Sequence, residues 1–394
     1  MKVVQINCSS FGSTGNIARA IHKELLQRGD ESYIFYGIGK STEKNMFRVG
    51  NDLSLHSHSV LSRNLGKQGY FSYVSTQKMI SQIKKIDPDV VHLHNLHGSY
   101  LNLPLLFEYL KRSGKQVIIT LHDCWLFTGK CPHFTVANCY RWKESCGGCV
   151  QLSNYPRSKI DTTEKCLSDK KKWLSGFENK LKIITVSNWL RDTAKQSFLS
   201  QYPIETIYNG INTDVFRPVD GARVREKYNI QDRYVILGVS SNWNAQKGLG
   251  EFLQLSERLS ENEVIVLVGL TDEQIKEMPQ NIVGIARTEN QAELAELYSA
   301  ADVFVNTSKE ETFGLVTAEA MSCGTPVIVY DSTACGEIIG DNDIKLSVDA
   351  DVTDIQNAIE DMRQRNMKTK NVEICFNVEK MVEDYVREYK EISR

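Results

Sequence analysis

The stretch Asp302-Val303-Phe304-Val305-Asn306-Thr307-Ser308-Lys309-Glu310-Glu311-Thr312-Phe313-Gly314-Leu315-Val316-Thr317-Ala318-Glu319 decides the fold. It runs from an apolar, β-rich strand at Asp302 to Asn306, through a glycine-bearing turn, into a helix ending near Cys323-Gly324, and Pro326 to Tyr330 is the next strand. Short apolar runs alternating with longer helical patterns are the mark of parallel sheets covered by helices, so the class is α/β. A strand-to-helix turn exposes free backbone N–H groups at the positive end of the helix dipole, where phosphate or hydroxyl oxygens bind. Glu311 falls on the loop and Glu319 well inside the helix, so two carboxylates stand at different depths of one cleft and can accept hydrogen bonds from a hydroxylated ligand. The plainer alternative is a helix start that carries acidic residues to suit its dipole.

Outward from this segment the same alternation continues. Strands are expected at Lys2 to Asn7, Ser32 to Tyr36, Val90 to His94, Val117 to Leu121, Lys182 to Val186 and Ile204 to Tyr208. A second series follows at Tyr234 to Val239, Val264 to Val268, Asp302 to Asn306 and Pro326 to Tyr330. The turn Tyr208-Asn209-Gly210 separates the two series and is the natural linker. The expected domains are residues 1–208, with a Cys-rich insertion at 124–151, and residues 209–376, followed by a helix in 377–394. That helix has apolar or aromatic residues at Val378, Met381, Val382, Tyr385, Val386, Tyr389 and Ile392, which is helical spacing and lets it pack on either domain, back on the first included.

With 41% hydrophobic and 24% charged residues the chain is neither disordered nor fibrous. No apolar run reaches the ~20 residues of a membrane helix, and the start reads as a buried strand, so a cytoplasmic protein is expected. Residues 1–210 carry 28 Lys and Arg against 16 Asp and Glu, or +12, while the remainder carries −14. The basic half suits anionic lipid head groups or a phosphate-bearing partner, which adds peripheral contact with the inner face of a membrane to the expectation; an unevenly charged solvated surface is the alternative.

The Glu310 to Glu319 segment resembles the signature of glycosyltransferase family 4, whose two glutamates are separated by seven residues. Other matches run through nearly the whole chain: Gly12-Ser13-Thr14-Gly15, Thr120-Leu121-His122-Asp123, Val186-Ser187-Asn188, Asn209-Gly210-Ile211-Asn212 with Phe216, Lys247-Gly248, Ala300-Ala301-Asp302-Val303, and Met321 to Val327. The resemblance implies a GT-B fold, two Rossmann-like domains with parallel sheets facing a central cleft. It also implies a retaining transferase that moves a sugar from a UDP- or GDP-sugar, with no cofactor needed for catalysis.

By the same resemblance, Glu311 and the backbone of Thr312, Phe313, Gly314 and Leu315 hold the donor sugar, and Glu319 takes the ribose hydroxyls. Lys247 neutralises the diphosphate, where an ammonium stabilises the charge that builds on the leaving group. His122 contacts the sugar and supports the transition state; it lies at the carboxyl end of a strand, the edge where open α/β sheets bind ligands. Gly15, in a short glycine turn, permits close approach of the donor to the backbone. The family commonly has an Arg six residues before the Lys. Here that place is Ser241, and Asn242 is the expected substitute on the donor.

Val91-His92-Leu93-His94-Asn95-Leu96-His97-Gly98 ends one strand with three histidines; His92 and His94 share a face of the strand, while Asn95 and His97 fall in the loop and are expected to bind a polyhydroxylated acceptor. Five of the ten cysteines lie in the 26 residues from Cys124 to Cys149. The spacing of Cys131, Cys139, Cys146 and Cys149 favours a structural zinc over free thiols. This insertion resembles one in polysaccharide-assembly members of the family, which implies a saccharide or lipid-linked acceptor and a place in capsule, exopolysaccharide or lipopolysaccharide synthesis. A nicotinamide oxidoreductase would need an acidic residue after the second strand, where the chain has Tyr36-Gly37-Ile38-Gly39-Lys40. A zinc-ribbon nucleic-acid binder would leave the acidic half unexplained, so no nucleic-acid partner is expected.

Overall fold

The computed structural model describes residues 1–365 and 376–393, so the end of the expected second domain, residues 366–375, lies outside the described residues. The chain forms two compact units, Met1–Tyr208 with Glu379–Arg394, and Asn209–Val378.

The first unit is built on β1 (Lys2–Ser9), β2 (Glu31–Ile38), β3 (Met46–Arg48), β4 (Val90–Leu93), β5 (Gln116–Leu121), β6 (Leu181–Thr185) and β7 (Ile204–Thr206). They form one sheet in the order β3-β2-β1-β4-β5-β6-β7, with every pairing parallel. The second unit carries β8 (Tyr234–Val239), β9 (Glu263–Val268), β10 (Ile282–Ile285), β11 (Val303–Asn306), β12 (Val327–Tyr330) and β13 (Ile344–Leu346). Its sheet runs β10-β9-β8-β11-β12-β13, again all parallel. Both units are thus Rossmann-like, in the α/β class expected from the sequence. Three strands escape the sequence pattern, Met46–Arg48, Ile282–Ile285 and Ile344–Leu346. Each is three or four residues long, too short to show a period.

Parallel strands joined through helices are buried on both faces, which is why they read as continuous apolar runs. In β1, Val3, Val4 and Ile6 are fully buried, and so are Gln5 and Asn7 between and beside them. Such polar exceptions need partners, and the helix Val378–Ile392 supplies several. Its Tyr385 and Tyr389 are fully buried, with the Tyr389 hydroxyl 2.7 Å from His92 Nδ1 in β4 and the Tyr385 hydroxyl 3.1 Å from Thr120 Oγ1 in β5. Its Glu388 pairs with Lys182 in β6, which also reaches Glu205 at 2.8 Å.

In each sheet the connection direction reverses once, between β1 and β4 and between β8 and β11. At such a switch point adjacent strands send their loops apart and leave a crevice at their carboxyl ends. The loops after β1 and β4, and those after β8 and β11, are therefore where ligands of the two units are expected.

Tyr389→Phe leaves the buried His92 Nδ1 unpaired, a loss of about 1–3 kcal/mol. Amide hydrogen exchange in β4 and β5 should accelerate accordingly, while β8 and β11 keep their protection. Unchanged exchange in β4 would show that the tyrosine hydroxyl does not support the sheet.

Candidate functional site

In the second unit the crevice is shaped by side chains that lock the loops in place. Asn306, at the end of β11, donates through Nδ2 to Thr317 Oγ1 at 2.9 Å and accepts from the Ser308 backbone at 3.0 Å. It ties the start of the loop to the helix Leu315–Ser322. Thr307 Oγ1 donates to the Lys247 carbonyl at 3.0 Å, joining the loops of β8 and β11. The joint demands glycine at 248: its φ is +77° and an added Cβ would lie 2.0 Å from Thr307 Oγ1. Asn244 accepts from the Gln246 and Lys247 backbone N–H groups at 2.8 and 3.1 Å and so sets where Lys247 stands. Motif matching passes over Asn244 and Asn306, although Asn at a turn three residues before the Lys is a readable capping signal.

Lys247 Nζ forms an ion pair with Glu311 and donates to Ser308 Oγ at 3.2 Å. Glu311 is fixed through its backbone, its N–H donating to Thr333 Oγ1 at 2.8 Å and its carbonyl accepting from Ala334 at 3.2 Å. Gly314 begins the helix at φ +96°, leaving the first-turn N–H groups without a side-chain cap. Phe313 is buried with its ring edge-on to Phe376, so only its backbone is available to a ligand. Glu319 accepts from the Tyr298 hydroxyl at 3.1 Å, and burial pushes its carboxyl up to about 7 against that bond. Asn242 is exposed on the turn after β8, its backbone N–H held by Ser240 Oγ at 3.3 Å.

In the first unit Asn7 gathers the loops at the switch point. Its Nδ2 donates to the Ser9 carbonyl at 2.8 Å and lies 3.3 Å from Thr14 Oγ1, while its Oδ1 accepts from the Asn95 backbone at 3.3 Å. Gly15, packed against Ser10, has no room for a Cβ, which would lie 2.8 Å from the Ser10 carbonyl carbon. The Asn95 carbonyl accepts from Tyr100 at 2.8 Å.

His122 belongs to a chain of buried neutral rings. Gln5 Nε2 donates to the Ala18 carbonyl at 3.0 Å, so its Oε1 is the acceptor 3.0 Å from His94 Nε2, which must carry that ring's proton. His94 Nδ1 then holds a lone pair, and the His122 Nε2 at 3.1 Å is its donor. Burial holds His92 and His94 well below their ordinary range and brings His122 down to about 4, so the chain stays neutral and the His122 tautomer is fixed from inside the sheet. His97 lies across the same small cleft, paired with Asp123 at 2.8 Å.

The cysteine segment differs from its expectation. Burial, and then the neighbouring Cys146 thiol, raise Cys131 to about 11. Yet among the described residues no group of three or more His, Cys, Asp or Glu side chains is arranged to hold a metal ion, and a structural zinc is not supported. The nine cysteines among the described residues are free thiols. Buried ammonium groups hold the loop instead. Lys130 Nζ donates to the carbonyls of Gln151, Leu152 and Asn154 at 2.8, 3.3 and 2.9 Å. Lys170 Nζ donates to those of Trp125 and Thr128 at 2.5 and 2.9 Å. Lys170 is legible after the fact, since it sits among Cys166, Leu167 and Leu174 on the buried stripe of the helix Thr163–Leu174.

Comparison with known proteins gives these crevices a context. Residues 14–215 match Glycosyltransferase Family 4, and residues 221–373 match Glycosyl transferases group 1. The putative colanic acid biosynthesis glycosyl transferase WcaC of Escherichia coli K12 is 23% identical over 363 residues, covering 86% of this chain and 85% of that protein. The N-acetyl-alpha-D-glucosaminyl L-malate synthase of Bacillus anthracis is 23% identical over 340 residues, covering 82% and 77%. Among solved structures, sucrose-phosphate synthase from Thermosynechococcus elongatus superposes with a TM-score of 0.73 at 18% identity, covering 100% of this chain and 99% of that one. Anabaena Alr3699/HepE in complex with UDP gives 0.66 at 14%, covering 99% and 100%. At these identities the structural likeness establishes the GT-B fold alone.

Burial lowers five histidines of the first unit, with His58, like His122, brought down to about 4. Each takes up its proton in the unfolded chain near the ordinary value of about 6.5 but not in the folded one, so stability is full above that value and is lost as pH falls toward 4. The raised Glu388 opposes this as a single group. In a Trp243→Phe background, where the remaining tryptophans all lie in the first unit, the urea midpoint by fluorescence should be lower at pH 5 than at pH 7. A midpoint that rises on acidification would contradict the neutral-ring assignment.

Proposed function

Because the chain belongs to glycosyltransferase family 4, we propose that it moves a sugar from a UDP- or GDP-sugar to a saccharide or lipid-linked acceptor in polysaccharide assembly, with retention at the anomeric carbon. The observation that carries this reading is the Lys247–Glu311 pair at the switch-point crevice, beside the uncapped helix start at Gly314. A cation, an anion and a row of N–H groups at one place match the three parts of the donor. The ammonium and the helix end suit the diphosphate, Glu311 suits sugar hydroxyls, and Glu319 suits the ribose. Asn242 stands on the same loop as Lys247 and takes the place of the family's second cation. Thr312 to Leu315 offer backbone groups to the sugar.

In the reaction the bond from the anomeric carbon to the phosphate oxygen breaks, its electron pair leaving on the diphosphate, whose charge Lys247 stabilises. The acceptor oxygen bonds to the same face of the carbon, and its proton passes to the departing phosphate oxygen. His122, held neutral with its proton on Nε2, meets the donor sugar without introducing a competing charge. Asn95 and His97 face the acceptor. The WcaC relative supports polysaccharide assembly, and the basic first half of the chain supports a phosphate-bearing lipid carrier or peripheral contact with an anionic membrane. No helix among the described residues is long and apolar enough to cross a membrane.

A panel of nucleotide sugars, with transfer and hydrolysis monitored, tests the activity. Lys247→Ala and Glu311→Ala should each lower turnover by about 100-fold or more with circular dichroism unchanged. Near-normal turnover in either variant would sink the site assignment. Glu319 must be ionised to accept two ribose hydroxyls, and burial places its titration at about 7. Nucleotide affinity should therefore weaken as pH falls through 7, and Glu319→Gln should flatten that dependence. An unchanged pH profile in the Gln variant would remove Glu319 from the nucleotide site.

A further inference from the structure

His97 is the middle member of a chain that glycosyl transfer does not require. Asp123 Oδ2 accepts from His97 Nε2 at 2.8 Å, and Asp123 Oδ1 accepts from the Trp125 backbone N–H at 2.8 Å. Burial alone would raise this carboxyl, but its contacts with His97 and the Trp125 N–H bring it below its ordinary value, so it is a carboxylate. A carboxylate only accepts, hence Nε2 carries a proton and Nδ1 is the ring nitrogen left to face the neighbouring hydroxyl. At Nδ1, 2.9 Å away, stands the hydroxyl of Tyr155.

The chain therefore runs from a buried carboxylate through an imidazole to a hydroxyl, and only its last member is exposed. The His97 and Asp123 side chains are 12% and 14% exposed, whereas Tyr155 is 54% exposed. The His97 ring is kept in place by Trp125 and by the edge of Tyr155, both with centroids 5.7 Å away. His97 lines one small cleft with His94, Asn95 and His122.

We propose that His97 Nδ1 is the seat of an acceptor hydroxyl, oriented by Asp123, and that the Tyr155 hydroxyl fills this seat until a polyhydroxylated acceptor displaces it. Exchanging one hydroxyl for another conserves the hydrogen bond, so displacement requires only that an exposed side chain swing away. An acceptor lacking that hydroxyl offers nothing in exchange for the Tyr155 contact, which makes the seat a point of discrimination against deoxy analogues. The identity of the ligand as a saccharide rests on the transferase reading; the tautomer and the Tyr155 contact do not. The seated hydroxyl is distinct from the attacking one, whose proton leaves with the phosphate.

The test is 15N NMR of the full chain labelled at histidine, with glycerol as a small hydroxyl probe. In the wild type His97 should be the Nε2–H tautomer. In Tyr155→Phe, which keeps the ring and removes only the competing hydroxyl, glycerol should shift the His97 Nδ1 resonance with an apparent Kd several-fold lower than in the wild type. Asp123→Asn keeps one acceptor oxygen for two donors, and the Nε2–H population should fall. An Nδ1–H tautomer in the wild type, or equal glycerol responses in wild type and Tyr155→Phe, overturns the proposal. No nucleotide sugar enters this measurement, so a donor panel without turnover would remove the transferase reading and leave the hydroxyl seat standing.

Discussion

Every strand in both sheets runs parallel to its neighbours, and this constraint organises the molecule. A parallel pair cannot be joined by a tight turn, so each strand is followed by a crossover over one face, and all carboxyl ends gather at one edge of the sheet. Where the crossover direction reverses, a crevice opens that no side chain has to create. The fold thus supplies the location, and the sequence only has to place suitable groups on the loops leaving β1, β4, β5, β8 and β11. Gly248 shows how tightly these loops are joined: the β8 loop rests against Thr307 of the β11 loop with no space for a side chain.

Much of this is legible in the chain itself because double-sided burial produces unbroken apolar runs. Val117 to Leu121 and Val264 to Val268 can scarcely be anything but interior strands. Met46–Arg48 and Ile344–Leu346 are invisible for the opposite reason, being edge strands with one neighbour and three residues each. The site is legible where a motif couples residues close in sequence, as from Glu310 to Glu319. It is not legible where the partners are remote. Nothing near His97 announces Tyr155, and nothing near His122 announces Gln5.

The cysteine-bearing loop shows how spacing can suggest one chemistry while burial selects another. Four thiols in one short stretch suit a metal by count, but among the described residues they do not form a metal-holding group. The loop is ordered by Lys130 and Lys170, whose ammonium groups satisfy three and two carbonyls that a wandering backbone would otherwise leave unpaired. A buried cation normally carries a large desolvation penalty. Here burial lowers Lys170 to about 8, and the ring of Trp125 covers its Nζ at 3.4 Å from the centroid. The cation is held by carbonyl dipoles and a π face, with no carboxylate among the described residues hydrogen-bonded to it.

The same reasoning explains why the last helix belongs with the first unit. The centre of that sheet and the residues just past β4 and β5 include Gln5, His92, His94, Thr120 and His122, all buried, where a plain parallel sheet would have aliphatic residues. Gln5, His94 and His122 satisfy one another, but His92 and Thr120 bond to each other at 2.8 Å and still face outward with hydrogen-bonding capacity. Tyr385 and Tyr389 bring two hydroxyls to that place from 265 and 297 residues away in sequence. An apolar helix would bury the same area and leave His92 Nδ1 without a partner. The aromatic spacing of the helix is therefore set by two requirements at once, an apolar face for the sheet and hydroxyls for the histidines beneath it. Because the His92 and His94 rings lie with their centroids 4.0 Å apart, the helix also bears on the ring that fixes the tautomer of His122.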